Sequence, residues 1–105
     1  MKNIELILCT CPTEKDAKNI AHALVEAQLA ACINLLPNVT SVYRWQGEVV
    51  SDDEIQLLIK TCADNFVKIS EVIKSLHPYD VPEIISLNVQ QADKQYSHWI
   101  MDSIK

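Results

Sequence analysis

Residues Ala31–Thr61 read ACINLLPNVTSVYRWQGEVVSDDEIQLLIKT. Two long β-prone runs flank the dipeptide Gln46-Gly47, and Gly47 is the only glycine in a chain of 105 residues. Glycine is entropically costly to fix and is most useful where φ must be positive, as in a two-residue hairpin turn. Its place between Val42-Tyr43-Arg44-Trp45 and Glu48-Val49-Val50 predicts a β-hairpin turning at that point. The arms are long. An extended Cys32–Trp45 reaches about 45 Å at about 3.3 Å per residue, against about 5–6 residues for an ordinary strand. Pro37 cannot donate to a ladder, so a bulge, bend or edge is expected there. A hairpin of this length outreaches the core of one small unit. Its tip carries Val42, Tyr43, Trp45, Val49 and Val50, which are costly to leave in water, and the simplest cover is a second copy of the chain.

Upstream, Ile4–Cys11 is nearly continuous apolar sequence, as in a central strand covered on both faces. Leu6 and Leu8 point one way; Ile7, Cys9 and Cys11 point the other. Thr13 is placed to cap a helix, with Asp16 in capping-box position and a stripe of Ala17, Ile20, Ala21, Leu24, Val25 and Leu29. Downstream of the hairpin, Ile55–Ile59 reads as another central strand. Asp64 or Asn65 is expected to cap a second helix striped by Phe66, Ile69, Val72, Ile73 and Leu76. Pro78 should stop it at His77. Ile84–Val89 reads as a strand, and Asp93 as the cap of a last helix carrying Tyr96, Trp99, Ile100 and Ile104. The order is strand, helix, strand, hairpin, strand, helix, strand, helix. It predicts an α+β, ferredoxin-like βαββαβ sandwich with a long β-hairpin and a C-terminal helix. Right-handed crossovers put both crossover helices on one face. The other face then lacks a helix from its own chain although the central strands are apolar on both sides, which again points to subunit contact.

Composition narrows the function classes. Apolar residues make up 49% and charged residues 22%, the balance of a globular protein, and a net charge of −5 leaves no basic stripe for nucleic acid. No apolar run approaches the ~20 residues of a membrane span. Met1-Lys2-Asn3-Ile4 leads into the first strand with no cleavable leader, so the expected compartment is the cytoplasm, where Cys9, Cys11, Cys32 and Cys62 stay free thiols. One glycine makes a nucleotide-cradling loop implausible, and the chain has no HExxH, nucleophile elbow or CxxC, so no enzymatic activity is expected.

Seven short motifs follow one another along the chain: Leu8-Cys9-Thr10 followed by a proline, Leu29–Asn34, Ser41–Gly47, Ile59-Lys60-Thr61, His77-Pro78-Tyr79, Pro82–Ile85 and Tyr96–Trp99. In this order and spacing they resemble the CutA family of divalent-cation tolerance proteins, and the likeness covers residues 1–105 as one CutA-like domain. The resemblance implies a cytoplasmic homotrimer of ferredoxin-like subunits, related in architecture to PII signalling proteins. It also implies a role in the response to metal ions, copper above all, bound through a first-strand cysteine and the histidine before Pro-Tyr. Those positions are Cys9 and His77 here. Where some members carry paired histidines, this chain has Leu76-His77, one candidate ligand fewer. The family positions Trp45, Lys60 and Glu83, together with Tyr79, mark a cleft between subunits, an alternative functional site of the small-molecule-sensor type.

Cys9 and Cys11 lie two apart on a strand and face the same side, so Cys11 can join a site with Cys9. Thiolate and imidazole suit copper and zinc. The alternative for either thiol is packing as a small hydrophobe. For His77 it is interaction with the carboxyl end of its helix, and for Lys60 and Glu83 a salt bridge across an interface. Cys32 and Cys62 read as structural, His22 and His98 as solvent-facing, and Asp52-Asp53-Glu54 as a solvated turn or a guard against edge pairing.

Overall fold

The computed structural model describes residues 3–105. Met1 and Lys2, the start of the expected leaderless approach to the first strand, lie outside the described residues. The elements are β1 (Ile4–Cys11), α1 (Glu14–Glu26), β2 (Cys32–Trp45), β3 (Glu48–Cys62), α2 (Phe66–Leu76), β4 (Ile85–Asn88) and α3 (Lys94–Asp102). One antiparallel sheet runs β2-β3-β1-β4, which is the ferredoxin-like order. The two arms of the hairpin are themselves the second and third strands, rather than an insertion between them.

Gln46 and Gly47 turn the hairpin with φ of 49° and 83°. Positive φ at both central residues is the geometry whose twist matches the flanking strands. At Pro37 the register slips. Leu36 pairs with Gln56 and Val39 with Glu54, so Pro37 and Asn38 together oppose Ile55, and Asn38 takes a φ of 61°. This is the expected bulge, placed where a missing N–H costs least. The molecule measures 44 × 25 × 22 Å, elongated because the hairpin is.

The core lies on one face of the sheet. Ile7, Cys9, Cys11, Leu57 and Ile59 pack there against Ala17, Ile20 and Leu24 of α1 and Ile69 and Ile73 of α2. Thr13 caps α1 as expected: its Oγ1 accepts from the Asp16 N–H at 3.1 Å. Val25 departs from the expected stripe and is 40% exposed, while Leu29 lies beyond the helix end, past Gln28 at a φ of 59°, and still packs on the core. Asn65 stands at the N-cap of α2, after a 3-10 turn over Ala63–Asn65, but its side chain makes no cap bond. It turns inward instead and donates to the Leu29 carbonyl at 3.1 Å, which Thr61 Oγ1 also reaches at 2.6 Å. The half-buried Leu29 carbonyl in the connection after α1 thus draws two side-chain donors that would otherwise serve locally. In α2, Leu76 falls off the buried stripe and is 43% exposed.

The opposite face carries Leu6 and Leu8 of β1, their cross-strand partners Lys60 and Leu58 of β3, and Ile85 and Leu87 of β4. Ile85 and Leu87 are each 51% exposed, and Val42, Trp45 and Val49 at the hairpin tip are exposed as well. Among the described residues no helix is long and apolar enough to cross a membrane.

Candidate metal centre

Cys9 and Cys11 face the core because the pleat of β1 sends alternate residues there. The third group arrives from the end of α2. Pro78 keeps His77 out of helical geometry; it is extended, with φ −80° and ψ 136°. β4 pairs with β1 only from Glu5 to Leu8, which leaves the β1 edge at Thr10 open. His77 fills that gap: its Nε2 lies 2.7 Å from the Thr10 carbonyl oxygen. Its Nδ1 accepts the Tyr79 N–H at 3.1 Å, and its ring tilts against that of Tyr79 at 4.8 Å. A nitrogen accepting from an amide holds no proton, so the network assigns the neutral Nε2–H tautomer, with Nε2 donating to Thr10. The side chain therefore leaves the helix end and ties the strand edge to the following loop, rather than serving the helix dipole.

One ligand atom each from Cys9, Cys11 and His77 lies within 4.8 Å of the other two, and all three residues are buried. Three atoms so placed always share a point no more than about 2.8 Å from each, 4.8 Å divided by √3, against metal–thiolate distances of about 2.3 Å. Small inward turns of the side chains would close that difference. The Cys9 thiol donates weakly to the Thr10 carbonyl, Sγ to O at 3.8 Å. The neighbouring Cys11 sulfur first, then burial and the charges of Glu83 and Glu54, push the Cys9 thiol far above its usual range. The adjacent Cys9 sulfur pulls Cys11 the other way, against its burial. The ring is already committed at both nitrogens, so ligating a metal means giving up one hydrogen bond, worth about 1 kcal/mol net.

The cleft residues fall into separate places within one chain. Tyr79 Oη donates to Glu54 Oε2 at 3.0 Å, and burial first, then that bond, pushes the phenol up to about 12. Glu83 feels the Glu54 charge; burial raises its carboxyl while the Gln56 side chain works the other way, and its Oε2 is buried with no hydrogen-bond partner. Lys60 is paired with Tyr96, Nζ donating to Oη at 3.2 Å, rather than with Glu83. Trp45 is at the hairpin tip, 61% exposed. Its partner Glu48 and Lys60 stand at opposite ends of β3, roughly 40 Å of strand apart. Only the tip of another copy can bring a Trp45 to Lys60.

Glu54 corrects the reading of the acidic run. It is 6% exposed, not solvated, because the Tyr79 hydroxyl covers it. Tyr43 Oη donates to Asp52 in the same row. Thr10 and Glu54 are the participants the sequence did not flag: one acts through its backbone, and the other was masked by neighbouring charges. His22 and His98 are exposed, as expected. A broad groove of about 1120 Å³ lies apart from the thiols, between the start of β1 and α3, lined by Ile4, Val89, Gln91, Lys94, His98 and Met101.

Known proteins share this architecture. The profile of the CutA1 divalent ion tolerance proteins matches residues 5–103. The divalent-cation tolerance protein CutA of Thermus thermophilus is 50% identical over 99 residues, 94% of this chain and 96% of the relative. A solved structure of a Thermus thermophilus divalent cation tolerance protein superposes with a TM-score of 0.95 at 48% identity, covering 97% of this chain and 99% of that one. A CutA structure from Archaeoglobus fulgidus, described as a periplasmic divalent cation tolerance protein, superposes at 0.94 with 28% identity, covering 97% and 99%.

Proposed function

The chain belongs to the CutA1 divalent ion tolerance protein family, and from that premise we propose that it is a non-enzymatic, homotrimeric, metal-responsive protein. It binds copper or a similar cation through Cys9 and His77. The observation that carries this reading is the meeting of a first-strand thiol and the histidine before Pro-Tyr in one buried pocket. Leu76 adds no ligand, and the imidazole must release a hydrogen bond, so affinity is moderate. Association is supported by the bare apolar face of β1, β3 and β4 and by a hairpin whose tip finds no cover in its own chain. The reading is cytoplasmic, because the Cys9 thiol must stay reduced to ligate.

Titration of wild type, Cys9→Ser and His77→Ala with copper and zinc under reducing conditions tests it. Both variants should bind more weakly; unchanged stoichiometry and affinity in both would remove the site.

One observation favours a second reading. The buried Glu83 Oε2 without a partner suits a ligand or a cation arriving from outside the chain. A PII-like sensor would use the cleft of Lys60, Tyr79 and Glu83 with Trp45 of a neighbour. In that case Lys60→Ala and Glu83→Gln, not the thiol variants, abolish the response.

A further inference from the structure

The pocket holds one more donor than the proposed pair needs. Cys11 lies on the same face of β1 as Cys9, and its sulfur is one corner of the cluster with Cys9 and His77. We propose that the pocket is a three-coordinate site for a soft monovalent ion, copper(I), with Cys11 as its second sulfur ligand. This deepens the metal reading above and rests on it.

The donor set and its enclosure both lead there. Two sulfurs and one imidazole nitrogen are a soft set, which selects copper(I) or zinc over ions that prefer oxygen. Coordination number then separates the two. Zinc takes four ligands in a tetrahedron, the fourth from the protein in a closed site or from water in an open one. Copper(II) seeks a tetragonal arrangement of nitrogen and oxygen. Among the described residues the cluster has three members and no carboxylate. Cys9 and Cys11 are fully buried and His77 is 7% exposed, so water has little access to a fourth position. A trigonal ion needs neither a fourth side chain nor water. Binding consumes no oxidant or reductant: copper enters and stays as copper(I), the sulfurs bind as thiolates, and their protons pass to solvent. The strand's pleat already sets the two sulfurs on one side, within 4.8 Å of each other and of the ring nitrogen, so both face one centre.

The test is anaerobic titration of the reduced full chain with copper(I) against a colorimetric copper(I) chelator, on wild type, Cys9→Ser, Cys11→Ser and His77→Ala. X-ray absorption of the wild-type copper complex runs alongside. The expected result is one copper(I) per chain, bound by two sulfurs and one nitrogen. Cys11→Ser should weaken binding by about 100-fold or more, since loss even of an outer-shell partner typically costs 10–100-fold. An unchanged Cys11→Ser, with Cys9→Ser and His77→Ala weakened, leaves the metal reading standing and overturns the three-coordinate site. No effect in any variant removes both. Preference of the wild type for zinc(II) or copper(II) over copper(I) overturns the choice of ion. Should Cys11→Ser fail to fold, the wild-type sulfur count decides: two supports the proposal, one ends it.

Discussion

Replacing His77 with alanine in metal-free protein removes two hydrogen bonds and a buried ring at once. The Thr10 carbonyl loses its donor at 2.7 Å, and the Tyr79 N–H loses its acceptor at 3.1 Å. Each such bond contributes about 1 kcal/mol net. The ring is 7% exposed, and the space it leaves at the end of β1 adds about 1 kcal/mol more. The expected loss is therefore about 3 kcal/mol, a large share of the roughly 5–15 kcal/mol that holds a domain folded. Urea unfolding at fixed protein concentration, with a chelator present, measures it; the concentration is held constant because the proposed association would contribute to apparent stability. His77→Gln, whose amide can still donate toward Thr10, should recover about 1 kcal/mol of the loss. A metal-free His77→Ala within about 0.5 kcal/mol of wild type, the range of an ordinary surface substitution, would refute the reasoning and leave His77 with a ligand role alone.

Three other substitutions have defined outcomes. Tyr79 holds its proton longer in the folded chain, up to about 12, than in the unfolded one at 10.0. Its contribution to stability is intact below pH 10 and is lost as pH rises from there through about 12. The difference between wild type and Tyr79→Phe in urea midpoint should accordingly shrink between about pH 9 and pH 12, and a constant difference would contradict the Glu54 contact. Gln46 sits at a φ of 49° before Gly47, so Gln46→Asn, the residue favoured there, should raise thermal stability by a few tenths to about 1 kcal/mol; a drop would mean the side chain has another task. Trp45→Ala should weaken association by about 2 kcal/mol as a buried interface anchor and leave the far-ultraviolet circular dichroism of the chain intact. Lost secondary structure with unchanged association would misplace that side chain.

Much of the fold was legible because single residues forced it. One glycine after Gln46 located the turn, Pro37 located the bulge, and Pro78 ended α2 at Leu76. The apolar runs of β1 and β3 on both faces announced a sheet with apolar side chains on the face opposite α1 and α2 as well. The period of two put Cys9 and Cys11 on one side. Illegible was what meets across the chain. His77 and Thr10 stand 67 residues apart, and Thr10 contributes a backbone carbonyl that no side-chain pattern reports. Glu54 looked solvated among Asp52 and Asp53, because the tyrosine that covers it comes 25 residues later. Asn65 looked like a cap, because its true acceptor is a carbonyl before β2. Local propensity places such residues on an element; tertiary demand for hydrogen-bond partners decides which way they turn.

The proposed assembly would cover the sheet's open side and the tip of the hairpin, and mass in dilute solution tests it most directly. Sedimentation or light scattering should give three chains of 11.9 kDa each, about 36 kDa, down to the lowest measurable concentration. Folded, soluble single chains of 11.9 kDa would contradict it.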